Sequence, residues 1–281
     1  KTKEMTLFAS IPRTLPACPG GIGLTAAMTM LKSGFVIVGS LPSNDGTTAT
    51  KGQGCLIVID SNGQVAGTFT GPRINGPWGN IATIDKGDTA TIFVSNTGFG
   101  VGAPSNNSPV LHNATILRLE LKIDPGKAPV VVKETVIGSG FGQQADKSVF
   151  IIGPTGLALA KDGTTLYASD AVDNRIVAIP DAPTRSDSAG TGKEITKDGL
   201  LQRPLALALA PNGHILATNG LNGQAVEIDP ASGKQLNARW IDADKAQTPP
   251  GSGDLFGIAM TLEGDGFYYV EDDVNTVVLA R

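Results

Sequence analysis

Pro154-Thr155-Gly156-Leu157-Ala158 is followed by Lys161-Asp162-Gly163, then Thr165-Leu166-Tyr167-Ala168-Ser169-Asp170, then Asn174-Arg175-Ile176-Val177. About fifty residues later the pattern returns. It reads Pro204-Leu205-Ala206-Leu207-Ala208, Pro211-Asn212-Gly213, Ile215-Leu216-Ala217-Thr218-Asn219 and Ala225-Val226-Glu227-Ile228-Asp229. Looser copies open at Gly21-Ile22-Gly23, Pro77-Trp78-Gly79 and Leu255-Phe256-Gly257. A unit of about 40–50 residues with four short strands and tight glycine turns is one blade of a β-propeller. The chain is therefore expected to be all-β, a propeller of five four-stranded blades, with six blades as the alternative. A single propeller domain over residues 1–281 is expected, because each blade must bury its neighbours' faces.

Composition agrees. The 281 residues include 36 glycines and 18 prolines, as hairpins require. A net charge of −4 without a basic cluster argues against a nucleic-acid partner. No apolar run reaches the ~20 residues of a membrane span. Ser43–Gly54 and Ala182–Gly192, rich in Gly, Ser, Thr and Asp, read as disordered.

Short β-branched runs bounded by Gly, Asp or Asn mark the strands. The first blade offers Leu24–Met30, Phe35–Gly39, Leu56–Asp60 and Val65–Thr70. The second offers Asn80–Ile84, Thr91–Ser95, Ala114–Lys122 and Val130–Val136. The third offers Leu157–Ala160, Leu166–Ser169, Arg175–Ile179 and Glu194–Thr196, the fourth Leu205–Ala210, Ile215–Thr218, Ala225–Asp229 and Gln235–Trp240. The fifth shows only Gly257–Thr261, Phe267–Val270 and Thr276–Ala280. Met5–Ile11 resembles the outer strands and is expected to close that last blade, removing two sheet edges.

Turns joining first to second and third to fourth strands are short. The long loops, 41–54, 97–112, 138–152 and 242–252, fall on the opposite face. Function is expected there. Cys18 and Cys55 both fall on that face of the first blade and are expected to form a disulfide, closing a loop of roughly 36 residues. A disulfide implies an oxidising compartment, so a secreted or periplasmic location is expected.

Two rings of residues are candidates for a site. Ile22, Trp78, Thr155, Leu205 and Phe256 begin the innermost strands and would make an apolar, aromatic channel mouth suited to a small apolar ligand. They could equally plug the channel. Ser40, Asn96, Asp170, Asn219 and Asp272, with Glu271, end the second strands. Converging oxygens there could hold calcium, whereas turn chemistry would have them bond their own loops. His112 ends the long second-blade loop on the long-loop face and is a candidate site residue able to carry a proton, whereas His214, after Asn212-Gly213, reads as structural. No nucleophile motif or zinc-ligand spacing is present.

Pro154, Gly156-Leu157-Ala158, Asp162-Gly163, Leu166-Tyr167, Ser169-Asp170 and Asn174-Arg175-Ile176 resemble NHL-repeat propellers and the related gluconolactonase (SMP-30-like) family. The resemblance implies a propeller and, in the lactonase branch, a divalent metal held by Glu, Asn and Asp. Here the Asn position reads Thr155, the Asp position reads Leu205, and no Glu stands near Gly20-Gly21-Ile22. The metal ligands therefore do not carry over. The expected function is a ligand-binding or protein-interaction module acting through the long-loop face, towards a small apolar ligand or a protein partner. The alternative is a divalent-metal-dependent hydrolase, lactonase or lyase working at the channel mouth.

Overall fold

A computed structural model describes residues 6–18, 21–43 and 52–281. Those residues form strands and turns with no helix. Blade 1 is β1 (Leu24–Met30), β2 (Val36–Leu41), β3 (Cys55–Ile59) and β4 (Val65–Phe69). Blade 2 is β5 (Pro77–Asp85), β6 (Thr89–Asn96), β7 (Leu111–Lys122), β8 (Val130–Asp146) and β9 (Phe150–Ile152). Blade 3 is β10 (Pro154–Leu159), β11 (Leu166–Asp170), β12 (Arg175–Ile179) and β13 (Lys193–Lys197). Blade 4 is β14 (Pro204–Leu209), β15 (Ile215–Asn219), β16 (Gln224–Asp229) and β17 (Lys234–Trp240). Blade 5 is β18 (Leu255–Met260), β19 (Phe267–Glu271) and β20 (Thr276–Ala280). Every sheet is an antiparallel meander, so the expected five-bladed, all-β propeller is present.

Apolar side chains fill the spaces between blades. Ile37, Leu56, Ile92 and Leu117 are buried between blades 1 and 2. Phe93, Phe141, Leu157 and Val177 lie between blades 2 and 3, and Ile176, Leu207 and Val226 between blades 3 and 4. Strand alternation explains this, since each blade must be apolar on both faces when it is flanked twice.

The inner strands approach so closely that side chains are excluded. A β-carbon on Gly79, whose φ is +100°, would stand 2.1 Å from the Thr155 carbonyl oxygen; one on Gly156 would stand 2.4 Å from that of Leu205. The repeated glycine after Pro-x is thus a contact between blades as well as a turn residue.

Closure departs from the sequence expectation. Residues 6–17 contain no strand, and Met5 lies outside the described residues. Ala9, Ile11 and Leu15 pack instead on the outward face of blade 1, against Cys55, Ile57, Ile59, Val36 and Val38. Burying those side chains competes with pairing at β20, and Cys18 ties the segment to blade 1 through its disulfide with Cys55, Cα–Cα 5.5 Å. Among the described residues β20 pairs only with β19, and blade 5 has three strands. Inner strands lie side by side from β1 through β5, β10 and β14 to β18, but β18 is not so placed against β1. The ring of described residues is open at that seam.

Two segments read as loops are structured. β8 continues through 138–146 and turns back into β9, with Gln144 opposite Ile152. Gly138, Gly140 and Gly142 sit where β7 and β8 shift register around Ala114–Thr115. Residues 182–192 are anchored rather than disordered. The buried Arg118 donates to the carbonyls of Ala182 and Arg185, and the Ser139 N–H to that of Gly190. Of the segment Ser43–Gly54, residues 44–51 lie outside the described residues.

Gly79→Ala and Gly156→Ala should each destabilise by about 1–3 kcal/mol or more, because a backbone carbonyl cannot move aside as a side chain can. Gly257→Ala should cost less, since among the described residues its β-carbon would meet only the Val270 side chain, with Cγ2 nearest at 3.3 Å. Urea midpoints of the three variants check this ordering, and equal losses would contradict the open seam.

Candidate functional site: the axial pocket

The N-terminal ends of the inner strands surround a cavity of about 280 Å³ on the long-loop face. Trp78, Thr155, Leu205 and Phe256 all line it, as expected. Trp78 and Phe256 meet edge to face, with ring centres 6.2 Å apart. Ile22 does not line the pocket; it packs beside the disulfide, and Leu24, Thr25 and Ala26 take its place.

Hydroxyls one position before the second-strand ends hold the inner strands in place. Ser95 Oγ donates to the Trp78 carbonyl at 2.5 Å, Ser169 Oγ to that of Leu205 at 2.7 Å, and Thr218 Oγ1 accepts the Ala206 N–H at 3.1 Å. Blade 5 has Val270 at this position, opposite Val277. Ser40 belongs to this series and accepts the Gly23 N–H, so in blade 1 the true strand-end equivalent is Leu41, which pairs with Leu24. In blade 5 it is Glu271, which pairs with Leu255.

The strand-end ring itself does not converge on the axis. Asn96 accepts the Gly76 N–H and donates to the Arg73 carbonyl, fastening the segment that enters blade 2. Asn219 does the same for blade 4 through the Gln202 N–H and the Leu200 carbonyl. Asp170 is fully buried and takes two guanidinium contacts from Arg175, each 2.9 Å. Burial raises its pKa and the Arg175 hydrogen bond opposes the rise. His112 is exposed at the start of β7, apart from the pocket lining. His214 lies 2.6 Å from Glu227, whose carboxyl it holds below the usual value.

Among the described residues, Asp272 is the only ionisable side chain lining the cavity. Burial raises its pKa, and the neighbouring charge of Asp273 raises it further. Asn80, the other strongly polar side chain there, is already used: its amide donates to the Leu157 carbonyl at 2.5 Å and accepts the Leu157 N–H at 2.7 Å. Asn80, Phe150 and Asp272's place in the lining were not visible as a pattern in the sequence. Phe150 reaches the mouth from the β8–β9 turn with φ 61°, a left-handed conformation that a bulky residue adopts only under constraint.

Behind Asp272 lies a buried carboxyl pair. The Asp272 N–H donates to the Asp254 carbonyl at 2.8 Å. Burial, the charge of Asp273 and a hydrogen bond with Asp242 push the Asp254 carboxyl up to about 7. One oxygen each of Asp242 and Asp254 is buried without a hydrogen-bond partner. Among the described residues, no three His, Cys, Asp or Glu side chains are grouped to hold a metal ion.

No protein-family model and no curated protein matches the chain. Solved structures do. A luciferin-regenerating enzyme aligns at 14% identity and TM-score 0.57, over 90% of this chain and 72% of its own. A gluconolactonase, XC5397 from Xanthomonas campestris, aligns at 16% identity and TM-score 0.53, over 91% and 72%. A putative 6-phosphogluconolactonase from Bacteroides uniformis aligns at 14% identity and TM-score 0.51, over 90% and 69%. These likenesses, at 14–16% identity, show that the chain shares the β-propeller fold.

Because Asp254 binds its proton more tightly folded than unfolded, its stabilising contribution is present below its ordinary value of 3.8. The contribution is lost as pH rises through about 7. Stability of the native protein should fall across that window, and Asp254→Asn should flatten the profile. Denaturant midpoints at several pH values check this; parallel profiles would refute the assignment.

Proposed function

We propose that this chain is a ligand-binding propeller whose axial pocket takes a small apolar or aromatic molecule bearing a cationic or hydrogen-bond-donating group. The observation that carries the reading is the lining: apolar side chains from β1, β5, β14 and β18, Thr155 from β10 and, among the described residues, a single ionisable group, Asp272. Trp78 and Phe256 supply aromatic surface, which attracts both apolar and cationic groups. The side-chain carboxylate of Asp272, an exposed residue, accepts no hydrogen bond from the described residues and is left for a ligand donor, worth about 0.2–1 kcal/mol for a solvent-exposed charged pair. One propeller domain and a secreted or periplasmic location belong to the same proposal. The disulfide between Cys18 and Cys55 supports that location.

A second reading, a metal-dependent hydrolase, lactonase or lyase using calcium at the mouth, draws support from the fold likeness to a gluconolactonase. The donors fit it poorly. Asp272 is a lone carboxylate, Asn80 is engaged at both ends, and Thr155 and Leu205 occupy the positions where that family places ligands.

A thermal-shift screen of small aromatic amines and their neutral analogues tests the first reading. Amines should raise the melting temperature more than the neutral compounds, and Asp272→Asn should remove that preference. Trp78→Ala and Phe256→Ala should abolish the shift while the fold persists. If instead the two aromatics only plug the channel, each truncation should cost ~3–5 kcal/mol of stability. Millimolar calcium raising the melting temperature of the native protein, but not of Asp272→Asn, would favour the metal-dependent reading.

A further inference from the structure

The loop leading from blade 4 into blade 5 holds carboxyls that have no cationic partner among the described residues. Asp242 opens it, and Asp254 closes it just before β18 begins at Leu255. Both residues are more than nine-tenths buried, at 7% and 5% exposure. Asp242 Oδ1 accepts the Asp244 N–H at 2.8 Å, but Asp242 Oδ2 and Asp254 Oδ2 have no hydrogen-bond partner. The two side chains lie within hydrogen-bonding reach of each other, and the charges of Asp244 and Asp273 also act on Asp254. No Lys, Arg or His among the described residues, Lys245 of the same loop included, forms an ion pair with these four.

A third buried oxygen belongs to this neighbourhood. Gln247 Nε2 donates to Asp273 Oδ2 at 3.4 Å, and Gln247 Oε1 is buried without a partner. The backbone fixes the carboxylates where they are. A β-carbon on Gly251, whose φ is 65°, would stand 3.0 Å from Asp242 Oδ2, so the loop closes over that oxygen. On the other side the Asp272 N–H holds the Asp254 carbonyl at 2.8 Å. Two buried carboxylates held together in this way repel each other. A shared proton relieves the repulsion when no cation is present. A divalent cation does so more completely, because it balances both charges and also satisfies the unpaired oxygens.

We propose that Asp242, Asp254 and Gln247 bind a calcium ion, which fastens the loop 242–254 to the start of blade 5. Asp242 Oδ2, Asp254 Oδ2 and Gln247 Oε1 are the protein donors, and water completes the shell. Carboxylate and amide oxygens on a loop suit calcium, which accepts irregular coordination, better than magnesium, which demands a near-ideal octahedron. Zinc would call for Cys or His, and neither stands here. The donors include fewer than three acidic side chains, which sets a weak affinity, with a dissociation constant on the order of 10⁻⁴–10⁻³ M. The site is separate from the axial mouth, where the lactonase branch holds its metal and this chain has Thr155 and Leu205. Neither Asp242 nor Asp254 lines that pocket.

Calorimetric titration of the intact, chelator-washed protein with calcium chloride tests this. One ion per chain should bind, and magnesium should bind at least about tenfold more weakly. Asp242→Asn and Asp254→Asn should each weaken calcium binding at least about tenfold, whereas Asp272→Asn should stay within about twofold of the native protein. Terbium in place of calcium should luminesce on excitation of Tyr269, whose hydroxyl donates to the Ile241 carbonyl at 2.6 Å, beside Asp242. In chelator at neutral pH, both variants of the pair should melt at or above the native temperature, because a like-charge contact is gone. Melting far below it would contradict the contact on which the proposal stands. A native protein that binds no calcium at millimolar concentration would overturn the proposal and leave the pair with its proton only. So would unchanged binding in Asp254→Asn, or binding lost in Asp272→Asn but kept in Asp254→Asn, which would put the ion in the axial pocket.

Discussion

Adjacent inner strands meet so closely that the carbonyl of one passes over the α-carbon of a glycine in the other. Gly79 lies under Thr155 and Gly156 under Leu205 in this way. Contacts of that kind leave no room for side chains between strands, so the strand beginnings turn their side chains into the axial space. Hydroxyls from the second strands then lock the arrangement: Ser95 bonds to the carbonyls of Trp78 and Thr155, and Ser169 to that of Leu205. The pocket is the space left by this packing. Its apolar character follows from which residues stand beside the glycines.

Blade 5 breaks the pattern. Val270 stands where the other blades have a hydroxyl, and Gly257 faces no neighbouring inner strand. That loosening coincides with Asp272, the one ionisable group among the described residues of the pocket, and with the Asp242–Asp254 carboxyl pair behind it. A carboxylate among apolar groups is tolerated more readily at an open seam than inside a closed ring, because water can reach one side of it. The same seam leaves Met28 and Met30 exposed on blade 1. Further out, the N-terminal segment covers that blade's face and is held there by the disulfide.

The repeat from Pro154 to Val177 and its return at Pro204 were enough to identify the blades, because hairpin turns and strand alternation are local and leave their mark every few residues. Strand positions in blades 3 to 5 follow the sequence reading to within a residue or two at most ends. The cysteine pairing was legible for the same reason: both residues lie at one end of one blade. Trp78, Thr155, Leu205 and Phe256 were legible as pocket residues because they hold a fixed place beside the repeated glycine.

The remaining features are non-local. Whether Asn96, Asp170 and Asn219 turned towards the axis or towards their own loops depended on partners 5 to 23 residues away in sequence, such as Arg73, Arg175 and Leu200. In blades 1 and 5 a one-residue difference in register moved Ser40 and Asp272 off the strand-end ring and placed Asp272 in the pocket. Residues 6–17 were apolar enough to read as a strand, yet their apolar side chains found a larger surface on blade 1 than on the edge of blade 5. A period of two states that a segment is extended and which side of it is apolar. It does not state which of several apolar surfaces that side will cover, since that is a competition among burial areas settled only when the blades are assembled.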